Sequence, residues 1–421
     1  MKLKTVSFLL LFFLTFASYA QERTITDIHI NGLKKTKLNV IKSFINLKPN
    51  TVLDSVLIDE DIIRLKRLPS VSHAYYKILE TATGSFKVDY FIEENRTLIP
   101  VVNFWTTTNK QFAYKLGVYE YNFLGRNMAF GGYYQNNGYH SYEVNFRAPF
   151  LFSNRLGLSV NHQNWTSEEP LYFGNDFANY KYQNISLETL LMFQANLKNN
   201  FEFGVNYFKE IYNYKSGITS PTIPQQLNIN KLLFKFIYTY DNLAYNYQYI
   251  NGFKSQLFVQ MVTTKNEFQD DFFIAWNDLF YFKKIGVKGN WANRLRVGLA
   301  TNNESPFAPF ALDNNVNLRG VGILVDRGTG SIVYNTEYRH TIIERGSFIV
   351  QSNLFTDFGT WRNPGGKLSD FVQSKNMKVF SGVGLRIINK KVFNATFRID
   401  YGFELTNGKS QGLVFGIGQY F

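Results

Sequence analysis

Few residues of this chain stand in a pattern that does chemistry. The five histidines, His29, His73, His140, His162 and His340, are scattered, and none belongs to an HExxH pair that would hold a metal on one helix face. Gly402 to Ser410 reads GFELTNGKS, which puts one residue too many between its glycines for a phosphate-binding loop, and its Asn407-Gly408 pair suits a hairpin. Gly382-x-Gly384 lacks the third glycine and the strand–helix–strand setting of a dinucleotide site. No G-x-S-x-G occurs, and the absence of cysteine excludes a disulfide framework, a thiolate metal site and cysteine catalysis. What remains is ionic: Arg319 in Asn317-Leu318-Arg319-Gly320-Val321, Glu337 in Asn335–Arg339, and Asp357 in Phe355–Trp361. A guanidinium donates five N–H groups in a fixed fork and, away from bulk water, needs acceptors. Taken alone, the Arg319-Gly320 pair reads as an ordinary surface turn.

The elements that would position these residues alternate with period two from Ile99 to Phe421. In Asn394–Leu405, Ala395, Phe397, Ile399, Tyr401, Phe403 and Leu405 share one face, while Asn394, Thr396, Arg398, Asp400, Gly402 and Glu404 share the other. Phe234, Phe236, Tyr238 and Tyr240 alternate in the same way, as do Leu295, Val297 and Leu299. A soluble β-sandwich also alternates, but here the apolar face is rich in Phe and Tyr, and the opposite face carries Arg, Asp, Glu and Gly. That combination suits lipid outside and a polar lumen inside. Glu337 and Asp357 fall on the expected lumen face of neighbouring strands. After residue 20 there is no apolar run of helix-spanning length, so crossing a membrane would require a closed barrel. Roughly 320 residues at about 20 per strand and connection give about 16 strands, a count that composition alone leaves between about 14 and 18.

Composition agrees. The chain has 421 residues, with 45 Lys plus Arg against 32 Asp plus Glu, a net charge of +13. Aromatics make up 17% and charged residues only 18%, which excludes a disordered chain. The positive charge is spread over loops, and anionic outer-membrane lipid suits it better as a partner than nucleic acid. Met1–Ala20 has a basic start (Lys2, Lys4), an apolar stretch from Val6 to Ala17 and a Ser18-Tyr19-Ala20 cleavage site, the signature of a signal peptide spanning 1–20. Residues 21–97 predict a small α+β unit of β-α-α-β-β order. A strand over Ile25–Ile30 ends at Asn31-Gly32, Thr36 caps a helix running to Phe44, and a helix carries Leu57 to Leu65 with Asp59-Glu60-Asp61 on a solvated face. Two strands then join through Thr83-Gly84. The barrel occupies 98–421.

Several fragments, in order, carry a family resemblance. Ile25-x-x-Ile28-x-Ile30-x-Gly32, Leu65, Val71, Tyr75 and Val88–Glu94 resemble a POTRA domain, a periplasmic module. Tyr121–Asn127 resembles the early barrel of the BamA/TamA outer-membrane assembly superfamily, and Arg147–Leu151 resembles the strand that follows it. Leu318-Arg319-Gly320-Val321 resembles that superfamily's Val-Arg-Gly-aromatic loop motif, with Leu318 and Val321 as departures. Asn335–Arg339, Phe355–Trp361, Ser381–Arg386 and Arg398–Gly402 resemble the four strands after it, and Phe415–Phe421 resembles the C-terminal barrel signal.

The resemblance implies a transmembrane antiparallel β-barrel behind one POTRA-like domain, in the outer membrane with that domain in the periplasm. It implies that Glu337 and Asp357 face Arg319, which fixes the loop in the lumen. It also implies that the first and last strands, Leu98–Thr107 and Leu413–Phe421, meet in a weak seam carrying Phe415, Ile417, Gly418 and Phe421. Gly416 and Gly418 either weaken that seam or relieve crowding in the lumen. The implied activity is insertion or translocation of client proteins, unfolded or β-rich, with periplasmic accessory subunits as further partners at exposed strand edges. No cofactor and no bond-making chemistry are implied. A passive pore or structural scaffold is the alternative, and a secreted glycan-binding sandwich a third reading.

Overall fold

The computed structural model describes residues 23–106, 112–174, 176–264, 270–303, 305–313, 317–321, 326–393, 396–406, 408 and 410–421. The expected signal segment 1–20, Thr107, Asn394 and Ala395 lie outside the described residues.

A small α+β unit comes first, in the expected order: β1 (Thr24–Asn31), α1 (Leu38–Ser43), α2 (Ser55–Lys66), β2 (Val71–Ala82) and β3 (Ser85–Glu94). The central strand β3 runs parallel to β1 and antiparallel to β2. Ile25, Ile41, Ile58, Leu65, Val88 and Tyr90 are fully buried between the sheet and the helices. The start of α2 is fixed by Asp54, whose side chain accepts from the Val56 and Leu57 amides.

Two local expectations are corrected. Thr36 is not a helix cap: Lys37 holds that position, with no side-chain capping bond. The Thr36 hydroxyl instead accepts from Asn122 Nδ2 at 3.0 Å, so a contact to the barrel overrides the local preference. Asp61 is not solvated but fully buried. It accepts from the Asn46 and Leu47 amides just beyond α1, from Arg64 at 2.6 Å and from the Tyr90 hydroxyl at 3.2 Å. The Leu47 amide is buried and needs an acceptor, and Asp61 supplies it with Arg64 balancing its charge.

The remaining strands are β4 (Leu98–Thr106), β5 (Phe112–Phe123), β6 (Met128–Asn136), β7 (His140–Ala148), β8 (Leu156–Phe173), β9 (Asp176–Gln194), β10 (Asn199–Gly217), β11 (Gln226–Asn246), β12 (Tyr249–Thr263), β13 (Phe272–Ile285) and β14 (Gly289–Ala300). A two-residue ribbon of β15 (Phe310–Ala311) and β16 (Arg327–Gly328) lies within the long connection to β17 (Gly330–Arg345). Then follow β18 (Phe348–Arg362), β19 (Met377–Asn389), β20 (Thr396–Glu404) and β21 (Gln411–Ile417). Apart from β15 and β16, these form one 16-stranded antiparallel sheet, with β4 at one edge and β21 at the other. The two edges come side by side, so the sheet curls into a nearly closed barrel. Among the described residues no helix is long and apolar enough to cross a membrane.

The expected faces hold. Phe397, Tyr401 and Phe403 are exposed on the outer wall, while Arg398 and Asp400 point inward and are buried. Apolar side chains outside and charged ones inside are the arrangement that lipid demands. The wall is uneven: β8 to β11 have 18, 19, 19 and 21 residues, against 9 for β4 and 7 for β21. A membrane-spanning strand needs about 9–11 residues, so these strands are longer than a membrane crossing requires. At their far end Leu171, Tyr180, Tyr212, Ile223 and Ile229 close around Phe307 of the β14–β17 connection.

The small unit docks under the opposite mouth. Arg67, just past α2, donates to the carbonyls of Leu197 and Asp241 and pairs with the Asp241 carboxylate. Phe44 meets Phe150 edge to face at 4.7 Å. Arg147–Leu151 is therefore only partly a strand: Arg147 and Ala148 close β7, and Phe150 lies in the turn that meets the small unit. Glu94 accepts from the Lys35 and Thr36 amides at 2.9 Å each. Burial opposes its ionisation, but these N–H donors outweigh burial and hold the carboxyl below its usual pKa. A depressed folded-state pKa means that the stabilisation is complete above the unfolded pKa and is lost as pH falls through the folded value. Protection of the Lys35 and Thr36 amides in hydrogen exchange is therefore expected to hold at neutral pH, to fall under acid, and to be low at all pH values in Glu94→Gln. Protection that stays constant across pH would contradict the assignment.

Candidate functional site: a buried arginine cluster beside an open seam

The connection between β14 and β17 turns back into the barrel and carries Leu318-Arg319-Gly320-Val321. Arg319 is fully buried. Its Nε and Nη2 donate to the two oxygens of Asp357 at 2.9 and 2.8 Å, a bidentate pair, and its backbone amide donates to the same carboxylate at 3.0 Å. Nη1 donates to Glu337. The guanidinium lies 3.6 Å from the Phe355 ring centroid and 4.3 Å from that of Tyr420. Glu337 and Asp357 lie on the adjacent strands β17 and β18.

Glycines let the loop come this close. Gly320 has a φ of +96°, and a Cβ there would lie 2.6 Å from the Gly402 carbonyl oxygen. A Cβ on Gly402 would lie 2.2 Å from the Arg319 carbonyl oxygen. The departures from the motif pack well. Leu318 and Val321 are buried with Leu312, Val333, Trp361 and Phe380. Leu318 fills the space over Gly359, where a Cβ would sit 3.0 Å from it.

The sequence reading missed four members of the cluster, Arg339, Arg386, Arg398 and Asp400. Arg339 donates to Glu337. Arg386 donates to Asp400 at 2.7 Å and to Glu337 at 3.4 Å. Asp400 also pairs with Arg398 at 3.3 Å and lies 3.9 Å from Arg319. Arg386 and Arg398 are direct cross-strand partners, a like-charge pair that Asp400 bridges. All four lie on lumen parity within segments already singled out, so parity was the available signal, while the stagger that brings them together was not. Four guanidiniums, of Arg319, Arg339, Arg386 and Arg398, share three carboxylates, those of Glu337, Asp357 and Asp400. The cluster fixes the loop against β17 to β20 and contains no arrangement of nucleophile and base.

The expected seam residues divide. Phe415 and Ile417 face outward at 43% and 42% exposure. Gly416 faces the lumen opposite Arg398, and a Cβ there would lie 2.8 Å from the guanidinium, so this glycine relieves crowding. The strand does not continue to Phe421. It ends at Ile417, Gly418 adopts a φ of +95°, and Tyr420 and Phe421 enter the lumen. The physical reason is the cationic cluster, which offers Tyr420 a buried partner that the strand edge does not.

Among the described residues no ladder joins β4 to β21. At the end near the small unit, the chain leading into β4 is held to the β19–β20 connection and not to β21: the Arg96 amide donates to the Lys391 carbonyl at 2.8 Å and the Phe393 amide donates to the Arg96 carbonyl at 2.9 Å. Tyr121 covers this bridge with its ring 4.8 Å from that of Phe393.

No family model matches the sequence, and no curated protein does. Solved structures share the fold. BamA from Haemophilus ducreyi lacking POTRA domains 1–3 matches with a TM-score of 0.56 at 14% identity, over 93% of this chain and 84% of that one. CdiB from Acinetobacter baumannii matches with a TM-score of 0.57 at 11% identity, over 94% and 74%. CdiB from Escherichia coli matches with a TM-score of 0.59 at 9% identity, over 93% and 75%. At these identities the likeness is one of fold.

Proposed function

We propose that this chain is an outer-membrane protein that inserts or translocates client proteins through a barrel coupled to one periplasmic POTRA-type domain. The domains are a signal peptide at 1–20, the POTRA-type unit at 21–97 and the barrel at 98–421. The observation that carries the reading is the unladdered meeting of β4 and β21. Two strand edges that no ladder joins can template a client strand, and the two hydrogen bonds at Arg96, which run to the β19–β20 connection, are a small barrier to parting β4 from that side of the wall. In this reading the Arg319 loop sets the conformation of the lumen while the seam opens. The edge of β2, with Ile78 and Leu79 exposed, receives a client segment or an accessory subunit. Outer-membrane lipid surrounds the wall.

The test locks the bridge. Arg96 and Val392 are bridge partners, close enough for a disulfide, and the chain has no cysteine of its own. Arg96→Cys with Val392→Cys is expected to insert a β-barrel client into liposomes at wild-type rate when reduced, and at least about tenfold more slowly when oxidised. Equal rates in both states would sink the seam step.

A cavity of 720 Å³ between the small unit and the near mouth, lined by Arg67, His73, Arg147, Tyr247 and Lys254, favours a second reading as a passive pore. A steady ohmic conductance, unchanged by Arg319→Ala, would support it.

A further inference from the structure

We propose that Gly418–Phe421 is a strap across the lumen, and that Tyr420 is a positioning residue for Arg319. The chain leaves the wall at Gly418, whose amide still donates to the Thr396 carbonyl at 2.7 Å. Its φ of +95° suits glycine and sends the next three residues inward. Tyr420 is then only 6% exposed. Its ring centroid lies 4.3 Å from the Arg319 guanidinium carbon and 4.9 Å from that of Arg398. Phe355 also stacks on Arg319, at 3.6 Å.

The charge count explains the aromatic residues. Among the described residues of the cluster, four guanidiniums share three side-chain carboxylates, and all seven groups are buried. An aromatic face is attractive to a cation and strongly so when both are desolvated. Phe355 and Tyr420 supply two such faces without adding another ionised group. Phe355 belongs to the wall, whereas Tyr420 is delivered by the strap, so Arg319 is held by one fixed and one removable ring.

The strap also reaches the other side. Phe421 packs with Leu243 of β11, Phe282 of β13 and Ala292 of β14. Arg339 Nη2 donates to the Phe421 carbonyl at 3.3 Å, and the Arg339 guanidinium carbon lies 5.7 and 5.9 Å from the rings of Phe421 and Phe282. In barrel order β21 and β11 are eight strands apart, halfway around a sheet of 16. The seam edge is therefore tied through the lumen to the opposite wall, and the Arg319 loop is held beneath the tie. Moving β21 away from β4 pulls Tyr420 off Arg319, which couples the seam to the loop.

The inference rests on the reading of the Arg319 loop as the element that sets the lumen. Its test uses no client, so the two can fail separately. Wild type, Tyr420→Phe, Tyr420→Leu and Tyr420→Ala are refolded, shown to be barrels by heat-modifiable gel mobility, and recorded singly in planar bilayers. Tyr420→Leu fills the space without an aromatic face and protects the test against a folding failure of the Ala variant. Tyr420→Leu and Tyr420→Ala are expected to raise the ratio of open to closed time by about 30-fold, the factor that a desolvated cation–π contact of about 2 kcal/mol represents. Tyr420→Phe is expected to stay as closed as wild type. A Leu variant as closed as wild type would reduce Tyr420 to packing and overturn the proposal. A Phe variant as open as Leu would overturn it equally, because the ring would then not be what holds Arg319.

Discussion

Arg319→Ala is expected to destabilise the folded barrel by about 3–5 kcal/mol, the range for removing one partner of a fully buried ion pair. The loss follows from what is left behind. Glu337 keeps Arg339 and Arg386, whereas Asp357 keeps the Asn335 side-chain amide at 2.8 Å and the backbone amide of residue 319 but, among the described residues, no hydrogen-bonded cation. A carboxylate in a dry site with two neutral donors is under-compensated. Adding Asp357→Asn removes that charge, so the double variant is expected to be less destabilised than the sum of the two singles by about 1–3 kcal/mol. Urea unfolding in lipid, followed by gel mobility without heating, measures all four corners of this cycle. Strict additivity would mean that Arg319 and Asp357 do not depend on each other. The ion pair need not stabilise the fold relative to an apolar core of the same shape. What it supplies is one position for a long loop that has few other reasons to choose a place in the lumen.

Much of this was legible in the sequence because the barrel needs only a period of two. Phe397, Tyr401 and Phe403 go outward and Arg398, Asp400 and Gly402 go inward because successive side chains alternate, whatever the partner strands do. Meetings across strands are another matter. Arg386 reaches Glu337 although β17 and β19 are not neighbours, since β18 lies between them. That contact depends on stagger and on side-chain length, which no single segment encodes. Where tertiary contacts compete with local patterns, the local pattern misleads. Thr36 in a capping position serves Asn122 across the domain junction. Asp61 inside an acidic run serves the amides that follow another helix. Gly418-Gln419-Tyr420-Phe421 continues the alternation of a strand, yet the arginine cluster draws its aromatic residues inward.

Gly402→Val is expected to displace the Arg319 loop without altering any charge, which separates the loop's position from its ionic partners. A Cβ at residue 402 would stand 2.2 Å from the Arg319 carbonyl oxygen and 2.8 Å from its carbonyl carbon. Both are backbone atoms, held by the Arg319 amide on Asp357 and by the Ser410 hydroxyl on the Gly320 carbonyl at 2.9 Å, so no side-chain rotation relieves the clash. Overpacking alone costs about 1–3 kcal/mol. Here the relief is for the loop to leave, which strips Asp357 of its guanidinium, so the total is expected to approach the 3–5 kcal/mol of a broken buried pair. If both variants act by emptying the same site, Gly402→Val in an Arg319→Ala background should add far less than it does alone. Gly412→Ala is the control, because a Cβ there meets nothing within 4 Å, and its effect is expected within about 0.5 kcal/mol of wild type. Client insertion then discriminates between roles. Should the loop act by where it sits, Gly402→Val and Arg319→Ala will lose insertion to the same degree. If Gly402→Val unfolds as predicted but inserts clients at the wild-type rate, the loop serves only to stabilise the barrel.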